Sequence, residues 1–99
     1  MWQTIQHLAL QVKVIADRLF PDRTDASLYL KLYEETAEVI ASGGNSDEVA
    51  DIFILWMDYA VRKGIDIEAA VQRKLAIIQE RKWRIDANGV AQHVRDKHE

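Results

Sequence analysis

Residues 34–51, EETAEVIASGGNSDEVAD, contain two pairs of acidic residues with i, i+3 spacing: Glu35 with Glu38, and Glu48 with Asp51. On an α-helix, residues three apart lie on the same face. Between the pairs, Gly43-Gly44 predicts a tight break that separates two helices. We therefore expect an antiparallel helix pair in which the four carboxylates face one another within two or three turns of the loop.

The rest of the chain has the hydrophobic period of helices. Apolar spacing and chain breakers predict helices over about 2–20, 26–42, 45–63 and 66–83, with Asp25 as the N-cap of the second. The third helix is apolar nearly all round, which predicts burial on most sides and a partner subunit. We expect an all-α, antiparallel bundle of about four helices completed by homo-oligomerisation. It would form one domain, 1–99, with a core over about 2–84 and a polar tail over 85–99.

Composition narrows the class of protein. The chain has 99 residues, no cysteine and a formal net charge of −3, so disulfides and thiolate metal sites are excluded. No signal-peptide pattern begins the sequence, and no apolar run approaches the length of a membrane span. We expect a cytoplasmic protein that binds neither membranes nor nucleic-acid polymers.

The acidic pairs predict a metal site. Four converging carboxylates repel one another unless cations lie among them, and oxygen ligands alone favour Mg²⁺, Mn²⁺ or Ca²⁺. Helix capping by Asn45 would account for Glu48 but not for Asp51, and a solvated acidic face is the alternative. Asp58 extends the stripe of Glu48 and Asp51 by two turns. A further polar contact in the same cleft is one interpretation of it, and a surface or subunit-interface acid is the more common one.

A basic stripe follows on the predicted fourth helix. Lys74, Ile78 and Arg81 have i, i+4, i+7 spacing, so Lys74 and Arg81 would point in one direction. Metals on one side and these two cations on the other would suit a polyphosphate substrate. Solvation of both side chains is the alternative interpretation.

Together these segments resemble the MazG-like all-α nucleoside triphosphate pyrophosphohydrolases, whose signature is Glu-x-x-Glu followed by Glu-x-x-Asp on the next helix. The segment from Lys74 to Arg81 looks like the family's Lys-x-x-x-Asn-x-x-Arg, except that Ile78 replaces the Asn. The resemblance covers roughly residues 28–83. It implies a homodimer or homotetramer that cleaves NTPs or dNTPs into the monophosphate and pyrophosphate.

By this resemblance, the four acids of the two pairs would ligate Mg²⁺, with Mn²⁺ possible, and Lys74 and Arg81 would bind phosphate. We expect Glu35 to orient or deprotonate the attacking water, with Glu34 as the alternative. Trp2, His7 and Phe20 are candidates for contact with the base, although Trp2 and Phe20 are also expected in the core.

Two other classes of protein compete with this interpretation. A non-catalytic helical interaction protein would carry the same acids as a solvated face and would gain no stability from divalent ions. A di-iron bundle requires Glu-x-x-His motifs, and no histidine lies between Gln11 and Gln92. The base, the sugar and the biological role of the nucleotide stay open.

Overall fold

The structure is a computed structural model, and it describes residues 4–94. These residues form four α-helices and a hairpin: α1 (Ile5–Leu19), α2 (Asp25–Ser42), α3 (Ser46–Arg62), α4 (Ile67–Glu80), β1 (Lys82–Ile85) and β2 (Ala91–Val94). They divide into two compact units after Glu68. The first unit contains α1, α2, α3 and the start of α4, and the second contains the rest of α4 and the hairpin. The predicted all-α, four-helix architecture is confirmed.

Local capping determines where α2 begins. The Thr24 hydroxyl accepts a hydrogen bond from the Ser27 backbone N–H at 3.1 Å, and the Ser27 hydroxyl accepts one from the Thr24 N–H at 2.9 Å. This reciprocal arrangement satisfies two N–H groups at the helix start. The N-cap is therefore Thr24, and the prediction of Asp25 was wrong by one residue. Gly43, at φ 83°, ends α2 in the left-handed conformation that favours glycine.

Helices α2 and α3 are antiparallel, as predicted. At the ends remote from the Gly43-Gly44 loop, Lys63 forms an ion pair with Asp25, and the hydroxyl groups of Tyr29 and Tyr59 lie 3.1 Å apart. Because α3 also packs against α1, it is the central helix of the first unit. The ends of α2 and α3 that carry the acidic pairs are therefore brought together at the loop.

The buried core of the first unit is small. Its buried apolar residues are Ala9, Leu28, Leu32 and Ala60. On α3, Phe53 is 60% exposed and Trp56 is 47% exposed. In the single chain, α3 therefore lacks the burial on most sides that the sequence predicts. A partner subunit would cover this exposed apolar surface.

The second unit contains a β-hairpin, where we expected the end of a helix and a polar tail. Strands β1 and β2 pair antiparallel, with Lys82 opposite Val94 and Ile85 opposite Ala91. The Asp86 carboxylate accepts hydrogen bonds from the backbone N–H groups of Asn88 (2.9 Å) and Val90 (3.0 Å), which closes the turn. Helix α4 consequently ends at Glu80, three residues earlier than predicted. Strands of four residues are too short for their alternation to be recognised.

Trp2 and the last five residues of the predicted tail, 95–99, lie outside the described residues. Among residues 4–94, none of the helices combines the length and the hydrophobicity of a membrane span.

Candidate active site

The acidic pairs lie on the facing ends of α2 and α3, and they are close enough to influence one another. Glu35 is buried, with 8% exposure, whereas Glu38 and Asp51 are exposed and Glu48 is half-buried. The negative charge of Glu35 raises the pKa of Glu38, and desolvation, a hydrogen bond with Glu35 and the charge of Glu48 act in the same direction. Three of the four predicted ligands are therefore coupled electrostatically in this structure.

Only one acid of the two pairs has a cationic partner among the described residues. Lys31 lies 3.3 Å from both Glu34 and Glu35, and no Lys or Arg forms an ion pair with Glu38, Glu48 or Asp51. Lys31 is thus the one cation paired with these acids in the described residues, and its charge offsets only part of their repulsion, which a bound cation would relieve further.

Helix capping does not explain the orientation of Glu48. Its backbone N–H donates to the Asn45 side chain at 2.9 Å, as the capping pattern predicts. Its carboxylate, however, accepts a hydrogen bond from the Ser42 hydroxyl, which lies across the loop near the end of α2. The side chain of Glu48 therefore lies toward the preceding helix, on the side where the other acidic pair is found.

The donor set fits a hard divalent cation in its chemistry, because all four groups are carboxylates. Within residues 4–94, no three acidic or histidine side chains already lie close enough together to hold a metal ion. The exposed side chains of Glu38 and Asp51 have the freedom to rotate. The backbone thus brings the pairs near each other, and side-chain rotation would have to complete a metal site.

An apolar cavity of about 460 Å³ continues from the acidic ends along the same two helix faces. On α2, Lys31 and Leu28 follow Glu35 toward the helix start, and on α3, Leu55 and Asp58 follow Asp51 at helical spacing. The remaining lining residues are Val12, Ile15, Ala16, Phe20, Arg23, Ser27 and Ile54. An acidic site and an apolar cavity therefore adjoin, an arrangement suited to a ligand with one charged and one apolar end.

The far end of the cavity contains a buried ion pair that was not predicted. Arg23 donates from Nε to Asp58 Oδ2 at 2.6 Å and from Nη2 to Asp58 Oδ1 at 2.8 Å. The same guanidinium donates to Asp17 at 2.8 Å and to the Phe20 carbonyl at 3.1 Å. Asp58 is only 3% exposed, so the favoured prediction of a surface or interface acid was wrong, and its place in the cavity lining agrees with the alternative of a polar contact in the cleft. Its position two turns beyond Asp51 on an apolar helix was the one available signal.

Phe20, expected in the core, is 62% exposed and lines the cavity. His7 is exposed on α1 and is not among the residues that line this cavity.

The predicted phosphate ligands lie in the second unit. Lys74 is exposed on α4, and Arg81 is half-buried and directly follows the last helical residue. The carbonyl of Ile78 accepts hydrogen bonds from the Arg81 N–H at 3.3 Å and from Trp83 Nε1 at 3.1 Å. Arg81 is therefore held at the end of α4 by the turn into the hairpin, and it is not part of a continuous helical stripe with Lys74.

Comparison with known proteins identifies two similar phage proteins, both described as dATP/dGTP diphosphohydrolases. The protein of Cyanophage S-2L is 38% identical over 93 residues, which cover 92% of this chain and 89% of the relative. The protein of Salmonella phage PMBT28 is 48% identical over 82 residues, which cover 82% of this chain but only 28% of the relative. This chain thus spans about a quarter of the length of the second relative. No family model matches the chain.

The fold is also found in a solved structure. The Cyanophage S-2L MazG-like pyrophosphohydrolase, bound to dGDP and three catalytic Mn²⁺ ions per active site, aligns with a TM-score of 0.84 and 36% sequence identity. The alignment covers 95% of this chain and all of that one. Because the alignment covers nearly the whole chain, it includes the helices α2 and α3 that carry the acidic pairs.

Proposed function

We propose a function for this chain, which belongs to the family of MazG-like pyrophosphohydrolases. The proposed reaction is the metal-dependent hydrolysis of a purine deoxynucleoside triphosphate, dATP or dGTP, to the monophosphate and pyrophosphate. The observation that carries the proposal is that two carboxylate pairs meet beside an apolar cavity. Three of the four carboxylates form no ion pair among the described residues. The names of the relatives support the choice of purine deoxynucleotides.

Glu35, Glu38, Glu48 and Asp51 are the proposed ligands of Mg²⁺ or Mn²⁺. The bound ions would neutralise the charge that grows on the phosphate oxygens and would favour ionisation of the attacking water. Repulsion between Glu35 and Glu38 supports this assignment, because the pKa of Glu38 is raised when no cation separates the two carboxylates. The ligand set as a whole stays a prediction until metal binding is measured.

Glu35 is the proposed catalytic residue. Water would attack the α phosphorus, the bond from that phosphorus to the bridging oxygen would break, and pyrophosphate would leave. Glu35 would orient the water and accept its proton. Burial favours Glu35 over Glu34, because the Glu35 side chain is 10% exposed and the Glu34 side chain is 65% exposed. A buried carboxylate is held in one orientation more firmly than an exposed one.

The other parts of the nucleotide have proposed sites as well. Lys74 and Arg81 would contact phosphate oxygens, as the family resemblance implies. The base would enter the apolar cavity, where Phe20 offers an exposed aromatic face. An apolar cavity with few polar groups is the usual form of such a site.

We propose a homodimer or homotetramer as the working form. Phe53 and Trp56 on α3 leave a large apolar surface uncovered in the single chain. Burial of such a surface between subunits is the common way to complete a small helical domain.

The direct test is pyrophosphate release from dATP and dGTP in the presence of Mg²⁺ or Mn²⁺. Glu38→Gln and Asp51→Asn should each abolish release while the circular dichroism spectrum stays helical. Asp47→Asn is the matched control, since Asp47 is an exposed acid on the same helix as Asp51 but lies outside the two pairs. Full activity in both Glu38→Gln and Asp51→Asn would refute the assignment.

A melting experiment separates this proposal from a non-catalytic interaction protein. Mn²⁺ should raise the melting temperature of the wild-type chain and of Asp47→Asn, but not that of Asp51→Asn, because a ligand that binds only the folded state stabilises it. An equal response of all three proteins would indicate a solvated acidic face.

A further inference from the structure

The cavity has one polar end that the proposed chemistry does not use. Asp58 lines this end, and its side chain is 4% exposed. Arg23 also lines it, with a side chain that is 9% exposed. A carboxylate in the lining of a mostly apolar cavity is well placed to recognise a donor on a ligand.

Asp58 retains unused capacity to accept hydrogen bonds. Each of its two oxygens accepts one bond from Arg23, at 2.6 and 2.8 Å. A carboxylate has about four lone-pair sites, so about one site on each oxygen is left by the ion pair. Arg23 in turn uses four of its five N–H groups on Asp58, Asp17 and Phe20. Arg23 thus holds the Asp58 carboxylate rigidly from one side, and one lone pair on the outer side of each oxygen stays available; these two lone pairs point away from each other.

The distance from the acidic pairs suits a nucleotide. Asp58 follows Asp51 by seven residues on α3, which corresponds to a rise of about 10 Å along the helix. This is comparable with the separation of the phosphates from the far edge of the base in an extended nucleotide. With the triphosphate at the acidic pairs and the base in the cavity, the Watson–Crick edge of the base would reach Asp58.

We propose that Asp58 is a specificity-determining residue that accepts hydrogen bonds from the amino group on the Watson–Crick edge of the purine, with Arg23 as its positioning residue. The inference rests on the function proposed above and extends it to base selection. Guanine would donate from its 2-amino group to one of the two outer lone pairs. Adenine would donate from its 6-amino group in the same way.

The test compares substrates that differ by one amino group. Hypoxanthine lacks the 2-amino group of guanine, so wild-type kcat/KM should be at least about tenfold lower for dITP than for dGTP, as expected for loss of a hydrogen bond to a charged group. The analogue 7-deaza-dGTP is the matched control, because it is altered at the opposite edge of the base. Its kcat/KM should equal that of dGTP. Equal kcat/KM for dGTP and dITP would overturn the inference while leaving the pyrophosphohydrolase activity established.

Variants separate recognition from a structural role. Asp58→Asn should bring the dGTP/dITP ratio close to one, whereas Asp17→Asn, which alters a partner of Arg23 outside the cavity, should preserve the wild-type ratio. An Asp58→Asn protein that loses activity equally on both substrates would show a merely structural residue and refute the proposal. If Asp58→Asn does not fold, the wild-type comparison still decides. Failure to hydrolyse any of these triphosphates would refute the proposed function and the inference together.

Discussion

Replacing Arg23 with methionine should destabilise the fold strongly, because it leaves the Asp58 charge buried without its partner. The two side chains are 9% and 4% exposed, and their two hydrogen bonds measure 2.6 and 2.8 Å. Removal of one member of a buried ion pair costs about 3–5 kcal/mol. A domain of this size has a total stability of about 5–15 kcal/mol, so the loss is a large fraction of it.

The expected shift in melting temperature is large enough to measure. One kcal/mol corresponds to about 4–8 °C in the melting temperature of a domain this small, so Arg23→Met should melt at least about 12 °C below the wild type. Urea denaturation followed by far-ultraviolet circular dichroism, at one fixed protein concentration, would give the free energy of unfolding. Asp17→Asn, which affects the exposed end of the network, should change the midpoint only slightly.

The double variant Arg23→Met, Asp58→Leu tests the cause. If the cost comes from an unpaired buried charge, removal of both charges should recover much of the stability, since an apolar pair of similar volume packs in the same space. The reasoning is refuted if Arg23→Met loses less than about 1 kcal/mol, or if the double variant is no more stable than Arg23→Met.

Two further predictions concern the acidic site and the hairpin. Because Glu35 raises the pKa of Glu38, the stability that Glu38 contributes is greatest at low pH and is lost as pH rises through its raised pKa. In EDTA, the Glu38→Gln variant should therefore have a higher melting temperature than the wild type at pH 7, but not below about pH 4. A lower melting temperature of the variant at pH 7 would contradict the predicted repulsion. Because Gly89 has a φ of 77°, Gly89→Ala should destabilise the hairpin by about 1 kcal/mol, which would be measured as faster amide exchange over residues 82–94. Gly89→Asn should have a smaller effect. Equal exchange in the wild type and in Gly89→Ala would exclude strain at this turn.

The helices and the position of the acidic pairs could be predicted from the amino-acid sequence, because both depend on local spacing. The i, i+3 pairs on either side of Gly43-Gly44 needed only a helix on each side and a short loop between them, and the antiparallel packing of α2 on α3 followed. The N-cap role of Asn45 could be predicted for the same reason, since a cap acts within one turn.

The residues that lie opposite each helix face, by contrast, could not be predicted without the packed structure. Arg23 and Asp58 are 35 residues apart, and their pairing depends on how the loop after α1 passes across α3, which no local pattern contains. The cavity is a product of three helices, and the hairpin depends on hydrogen bonds between strands too short to show a period. Side chains that are near in the sequence are placed by the helix itself, whereas those that are distant in the sequence are placed by packing, which is a property of the assembled surfaces.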